Sequence, residues 1–204
     1  MFFYKTEKIP RGCTEREIKE RAHSMRFIKY ECNTLYIEKL LEKRHFPSAV
    51  ESVYALDALD ALISEMPEKE RSLLPEKIIL LRDKSGKPHI KDAKVGISLS
   101  HTDGLAAAAL SQSGNIGIDA EKIYEKDPVP LAARFFTASE KDLVISSDCP
   151  PLTFTEIWTK KEAYLKYLGA GLSIPLSSFD IGAPEMPRFA VFREDDVIIT
   201  VCPS

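Results

Sequence analysis

The chain has 204 residues, enough for one to two ordinary domains, and such a length buries about 70% of the unfolded surface without staples. Its 44% hydrophobic and 29% charged residues exclude a disordered chain, and a net charge of -3 argues against a general nucleic-acid or anionic-membrane binder. Cys13, Cys32, Cys149 and Cys202 are widely spaced with no C-x-x-C pair, so reduced thiols are expected rather than a disulfide framework or a zinc ribbon. The N-terminal MFFYKTEKIPRG is too polar for a signal peptide, and no run approaches the ~20 apolar residues of a membrane span. A soluble, cytoplasmic protein is expected.

The first third reads as helical. Thr14-x-x-Glu17 and Ser48-x-x-Glu51 fit the capping-box pattern, and Pro47 separates two segments expected as helices near 14–45 and 48–66. In the second, Val53, Leu56, Leu59, Ile63 and Met66 recur at helical spacing, as a core-facing stripe does. From Glu76 the runs KIILLR, VGISLS, LAAAALS and NIGIDAE alternate with Ser-Gly and Asp-Gly turn signals and read as strands. The alanines of LAAAALS favour helix by propensity, but the space between Gly104 and Gly114 suits a buried strand better.

Helices return after Pro128. Thr137-x-x-Glu140 opens TASEKDLVIS, and Pro150-Pro151 precedes LTFTEIWTKKEAYLKYL, which stops at Gly169. SSFDIG, RFAVFR and DVIITVC read as closing strands, with a turn at Glu194-Asp195. Strands grouped between helical segments, without regular βαβ alternation, indicate an α+β fold.

Asp119 and Glu121 lie two apart on an expected strand and so share a face. Paired carboxylates of this kind either end a solvated strand or hold a hard cation such as Mg²⁺. Glu162 and Lys166 are four apart on the long helix, on the face that carries Trp158. They form either a surface ion pair or a site at the margin of a buried stripe that includes Ile157, Leu165 and Leu168. Ser100-His101 closes a strand, and Gly86-Lys87-Pro88 sits in a turn.

The order and spacing of SGKPHI, ISLSHTDG, IGIDAEKI, RFFTASE and IWTKKEAYLKYLGAGLSIPLSSF closely resembles the 4'-phosphopantetheinyl transferases. The likeness is greatest to their larger, pseudo-dimeric, surfactin-synthetase-activating branch. Its specific part is the string of Trp158, Lys161, Glu162, Ala163, Lys166, Gly169, Gly171 and Leu172, with G-I-D-x-E upstream. It runs from Asp83 to Phe179, just under half the chain. Ser-Leu-Ser-His-Thr departs from the Ile-Ser-His-Ser more usual in the family, and residues 1–75 lack the family's usual N-terminal region. Arg16, Arg21, Arg26 and Lys29 are candidates for the 3'-phosphate of coenzyme A by charge alone, and none is assigned.

The resemblance implies two similar α+β halves related by a pseudo-twofold, residues 1–114 with a helical start and 115–204, around a cleft. It implies a cytoplasmic monomer that moves the phosphopantetheine arm of coenzyme A to a serine of an apo acyl or peptidyl carrier protein. Adenosine 3',5'-bisphosphate would be released. Asp119, Glu121 and Glu162 would hold Mg²⁺, or Mn²⁺ in its place. Glu162 would also act as general base, and Lys166 would neutralise the pyrophosphate. Ser100 and His101 would bind phosphate, and Gly86, Lys87 and Pro88 would line the adenine pocket. Lys161 carries no assigned step. Two rival readings are another Mg²⁺-dependent enzyme acting on a nucleotide-like phosphate, and a non-catalytic member that binds coenzyme A or the carrier.

Overall fold

The computed structural model describes residues 1–29, Asn33 and residues 46–203. The chain opens on a strand, β1 (Phe2–Lys8), within the third of the sequence that reads as helical. β1 pairs antiparallel with β5 (Leu105–Ser111) from Phe2↔Ser111 to Lys8↔Leu105, so its partner lies about a hundred residues away and leaves no local signal. Helix α1 (Glu15–Ser24) begins at Thr14 with the full capping box. The backbone beyond it is turned by Asp60, whose carboxylate accepts the N–H groups of Arg26, Phe27 and Ile28 at 2.6–2.7 Å. Of the helix expected over 14–45, residues 25–29 are not helical, and all of 30–45 except Asn33 lies outside the described residues.

Helix α2 (Phe46–Glu65) starts before Ser48, so Ser48 lies inside its first turns and is not its cap. Pro47 lies in the first turn of that helix, where a proline loses no intrahelical bond, and the segment that it was expected to divide from this one lies outside the described residues. Val53, Leu56, Leu59, Ile63 and Met66 are all buried, as the helical spacing predicts. A single turn, α3 (Glu68–Arg71), leads to the hairpin of β2 (Leu80–Arg82) and β3 (Pro88–Ile90). Asp83 Oδ1 ties its tip by accepting the backbone N–H groups of Ser85 and Lys87.

β4 (Gly96–Thr102) completes a three-stranded sheet of order β1-β5-β4. The alanine run is legible in this sheet. Ala106, Ala108 and Leu110 of β5 face α2, while Leu105, Ala107 and Ala109 join the core shared with the second sheet. A strand covered on both faces needs apolar side chains at every position, and small ones let both layers approach.

The second sheet has the order β6-β8-β7, from β6 (Gly117–Lys122), β7 (Ala190–Glu194) and β8 (Val197–Cys202). On β8, Val197, Ile199 and Val201 face the first sheet, and Thr200 meets Thr159 of the long helix at 2.8 Å. Both sheets follow the course strand, helix, strand, strand, with the last strand in the middle. Tyr4 stacks on Phe192 at 4.3 Å and Thr6 donates to Glu194, tying β1 to β7.

Between β6 and β7 run α4 (Val129–Phe135), α5 (Ala138–Ser146) and α6 (Pro150–Leu168), packed around Phe136, Phe154 and Ile157. Thr137 caps α5 with a full capping box, and Gly169 ends α6 in the left-handed conformation at φ 69°. Leu168 is exposed rather than part of the buried stripe. SSFDIG does not form the expected strand. The ammonium of Lys161 binds the carbonyls of Leu176 and Phe179, and Glu140 Oε1 accepts the N–H of Ile181. Side chains thus take the backbone groups that a ladder would need, and a 3₁₀ turn (Leu176–Ser178) forms there.

Gly117 brings α6 hard against β6: a Cβ at this position would lie 1.8 Å from the Ala163 carbonyl oxygen and 2.6 Å from the Tyr167 nitrogen. Both obstacles are helix backbone, which cannot swing aside. Gly117→Ala should therefore cost about 3 kcal/mol or more, at or beyond the upper end of ordinary overpacking. Urea unfolding followed by circular dichroism measures it; a loss under 0.5 kcal/mol would show that α6 is not seated this closely.

Candidate active site

Three elements converge at Asp119. Strand alternation points Gly117, Asp119 and Glu121 of β6 toward α6, and Ile118 and Ala120 into the core between the sheets. On β4, Ser98, Ser100 and Thr102 face β6, again two apart. Ser98 Oγ accepts the N–H of Ile118 at 3.0 Å and Ser100 Oγ accepts that of Ala120 at 3.2 Å. Serine hydroxyls thus cap N–H groups along the edge of β6 that no neighbouring strand pairs.

Ser100 Oγ also donates to Asp119 Oδ1 at 3.0 Å and accepts from Lys166 Nζ at 2.9 Å. Lys166 Nζ in turn lies 2.8 Å from Asp119 Oδ1. Asp119 is 4% exposed, yet its second oxygen, Oδ2, is buried without any hydrogen-bond partner. Thr102 Oγ1 lies 3.5 Å from Glu121 Oε2.

The electrostatics follow from crowding three carboxylates around one ammonium. Burial, then Asp119 and Glu162, push the Glu121 carboxyl up to about 7, against a smaller lowering by Lys166. Glu162 is raised by burial and by Asp119. Among the described residues no three His, Cys, Asp or Glu side chains are already gathered into a metal cage. The donor set nevertheless suits a divalent cation. It holds an orphaned buried carboxylate oxygen and two further acids whose charged forms lack compensation.

Two cavities flank this point. One of about 210 Å³ runs between the β2–β3 hairpin, β4 and the end of α6, and brings Gly86, Lys87 and Pro88 together with Lys166. Arg82 also lines it, and no acidic side chain does. Within it Lys87 Nζ donates to the Tyr167 carbonyl at 3.0 Å, latching the hairpin to the C-terminal turn of α6. Its half-burial lowers the lysine's pKa. The other cavity, about 200 Å³, opens beside Glu121 and is walled mainly by Tyr124, Leu131, Phe154 and Trp158.

Of the residues singled out in the sequence, Asp119, Lys166 and Ser100 are in direct contact. Glu121 and Glu162 are coupled to them by charge, and Gly86, Lys87 and Pro88 share a cavity with Lys166. His101 is not with Ser100: it faces α2, where Glu51 meets it. Arg16 pairs with Glu20, and Arg21 with Asp57. Lys161, to which the sequence assigns no step, lies in the core. It is fully buried, with Nζ 2.7 Å from Glu140 Oε2, and holds the loop after α6. The capping box already marked Glu140, but only as a helix start; its second partner comes from tertiary packing.

Residues 115–200 match the model of the 4'-phosphopantetheinyl transferase superfamily. The chain is similar to the 4'-phosphopantetheinyl transferase gsp of Aneurinibacillus migulanus, 30% identical across 71% of this chain and 62% of that protein. It is also similar to the 4'-phosphopantetheinyl transferase Sfp of Bacillus subtilis, 31% identical across 60% of this chain and 55% of that one. A third relative is the 4'-phosphopantetheinyl transferase AcpT of Salmonella typhimurium, 28% identical across 70% and 82%. The chain thus spans less than two thirds of the length of the first two.

The raised carboxyl of Glu121 has a consequence for stability. An acid whose folded pKa lies above its ordinary 4.5 destabilises the fold progressively from about pH 4.5 to about 7, and fully above that. Glu121→Gln should therefore raise the melting temperature at pH 8, and the gain should vanish toward pH 4.5. Mg²⁺ should raise the melting temperature of the unsubstituted protein at pH 8 and do less for the variant. Thermal melts across this pH range test both; a gain independent of pH would refute the assignment.

Proposed function

We propose that this chain, a member of the 4'-phosphopantetheinyl transferase superfamily, transfers the phosphopantetheine arm of coenzyme A to a serine hydroxyl of a carrier protein and releases adenosine 3',5'-bisphosphate. The observation that carries the reading is Asp119, held at Oδ1 by Lys166 and Ser100 with Oδ2 buried and unpartnered, beside Glu121 and Glu162. Displacement at a phosphoryl group asks little covalent chemistry of a protein; it needs positioning and neutralisation of charge. Asp119, Glu121 and Glu162 would hold a divalent cation, which when bound neutralises pyrophosphate oxygens.

The chain's own residues supply the rest. Lys166, about a third exposed, would neutralise the pyrophosphate by turning its ammonium from Asp119 toward it. Glu162 accepts the proton of the attacking serine, directly or through one water, which its raised pKa suits. The cavity at Gly86, Lys87 and Pro88 has the place and the positive lining for the adenine nucleotide. Because the ammonium of Lys87 holds the Tyr167 carbonyl, this residue would offer the nucleotide its methylenes and backbone. The apolar cavity beside Glu121 suits the uncharged pantetheine arm.

The shared course of the two sheets supports a division near 113–115 into two halves related by a pseudo-twofold. The cleft lies where β4 of one half meets β6 and α6 of the other. No helix among the described residues is long and apolar enough to cross a membrane.

Incubation with coenzyme A, Mg²⁺ and a panel of apo carrier proteins, read by intact-protein mass, should add one phosphopantetheine to a carrier serine. Phosphate release without carrier modification would instead indicate a different phosphate-transfer enzyme, and binding without turnover a non-catalytic one. Excess chelator and Asp119→Ala should each abolish transfer, and Glu162→Gln should lower turnover by about 10²–10⁴. Lys166→Ala should lower turnover strongly. Lys160, some 200° from Glu162 around the helix, should be replaceable by alanine with turnover kept. Equal losses in the two lysine variants would refute the assignment of Lys166, rather than Lys160, to the pyrophosphate.

A further inference from the structure

Successive residues of β4 point to opposite sides, so Ser100 and His101 address different spaces. Ser100 faces Asp119 and Lys166. His101 faces the second turn of α2, where its Nδ1 lies 3.1 Å from Glu51 Oε2 and both side chains are about three-quarters buried. A ligand that engages both residues must offer two separate anionic groups, one on each side of the strand. Coenzyme A does so, with a pyrophosphate and a phosphate on the ribose 3' oxygen.

We propose that Glu51 is a positioning residue for the ribose 3'-phosphate: it holds His101 by Nδ1 and so presents Nε2–H to that group, while Ser100 and Lys166 face the pyrophosphate. This rests on coenzyme A being the co-substrate. A hydrogen bond at one ring nitrogen fixes the orientation of an imidazole and dictates what the other nitrogen can do. With a carboxylate on one side and a phosphate on the other, the imidazolium uses one N–H for each. Glu51 is itself firmly placed, because Val50, Ser52 and Val53 around it on α2 are buried. The Ser100 hydroxyl already serves Asp119, Lys166 and the Ala120 N–H. Recognition of a second phosphate thus falls to the other side of the strand.

The test compares coenzyme A with 3'-dephospho-coenzyme A as donors to one carrier protein. The unsubstituted protein should prefer coenzyme A. Glu51→Ala should lower the ratio of the two kcat/KM values about tenfold, as expected for loss of one charge-assisted contact. The loss should appear chiefly as a raised KM for coenzyme A. Glu51→Gln keeps an acceptor for Nδ1 and should recover part of it. His101→Gln should give the same loss, and the double variant no more. The ratio is unaffected by partial unfolding, which scales both donors alike.

An unchanged ratio in Glu51→Ala, equal losses on both donors, or additive losses in the double variant would overturn the proposal. Unsubstituted protein that uses both donors equally would also overturn it, with the transferase reading intact. Protein that uses neither donor would overturn that reading, and this inference with it.

Discussion

Gly117 lets α6 lie on β6 with no side chain between the two backbones, and only at that spacing does the ammonium of Lys166 reach Asp119. Along the edge of β6 the hydroxyls of Ser98 and Ser100 do a comparable job, binding N–H groups at 3.0 and 3.2 Å in place of a neighbouring strand. Two backbone approaches therefore fix the site from opposite sides. An extra methylene on either would separate the sheets or lift the helix, and Asp119 would lose its partners before any acid was touched. The same hydroxyl of Ser100 serves the seam and the site, so fold and function cannot be altered independently there.

The two lysines of the W-x-x-K-E-A-x-x-K string show how the same charge is used in opposite ways on one helix. Lys161 points into the protein and is enclosed by Glu140, two carbonyls and the rings of Phe136 and Phe179. A buried pair satisfied at every donor adds little net stability over an apolar packing, but removal of one partner would leave a bare charge inside. It therefore fixes the path of the loop rather than contributing greatly to the fold. Lys166, a turn and a half further on, sits a third exposed beside an aspartate that is satisfied at one oxygen only. The closed network holds shape, and the open one is left able to exchange partners.

What the sequence made legible follows the range of each interaction. Capping boxes at Thr14 and Thr137, the glycine stop at Gly169 and the alternation that aligns Asp119 with Glu121 are local, and all three devices form as their spacing requires. β1 and the irregular SSFDIG segment were not legible. One exists through pairing with β5 far along the chain, and the other through side chains of Glu140 and Lys161 that capture its backbone. Alternation also separates Ser100 from His101, a consequence present in SLSHT from the start. The partner of His101 was not readable, because Glu51 approaches from another element.

The acidic centre breaks the rule that each level of a fold should satisfy the next. Asp119 alone has more anionic capacity than its neighbours consume, and burial, then the charge of Asp119, push Glu121 up to about 7 against a lesser lowering by Lys166. Elsewhere the chain deals with buried carboxylates fully: Asp60 receives three backbone N–H groups, and Glu140 receives an ammonium, a hydroxyl and two backbone N–H groups. A sequence that can satisfy a buried acid so thoroughly at two places did not lack the means at a third. The deficit is localised between two cavities, a positively lined one that Lys166 borders and an apolar one that Glu121 borders, so the acids that lack a partner are also the ones within reach of open space.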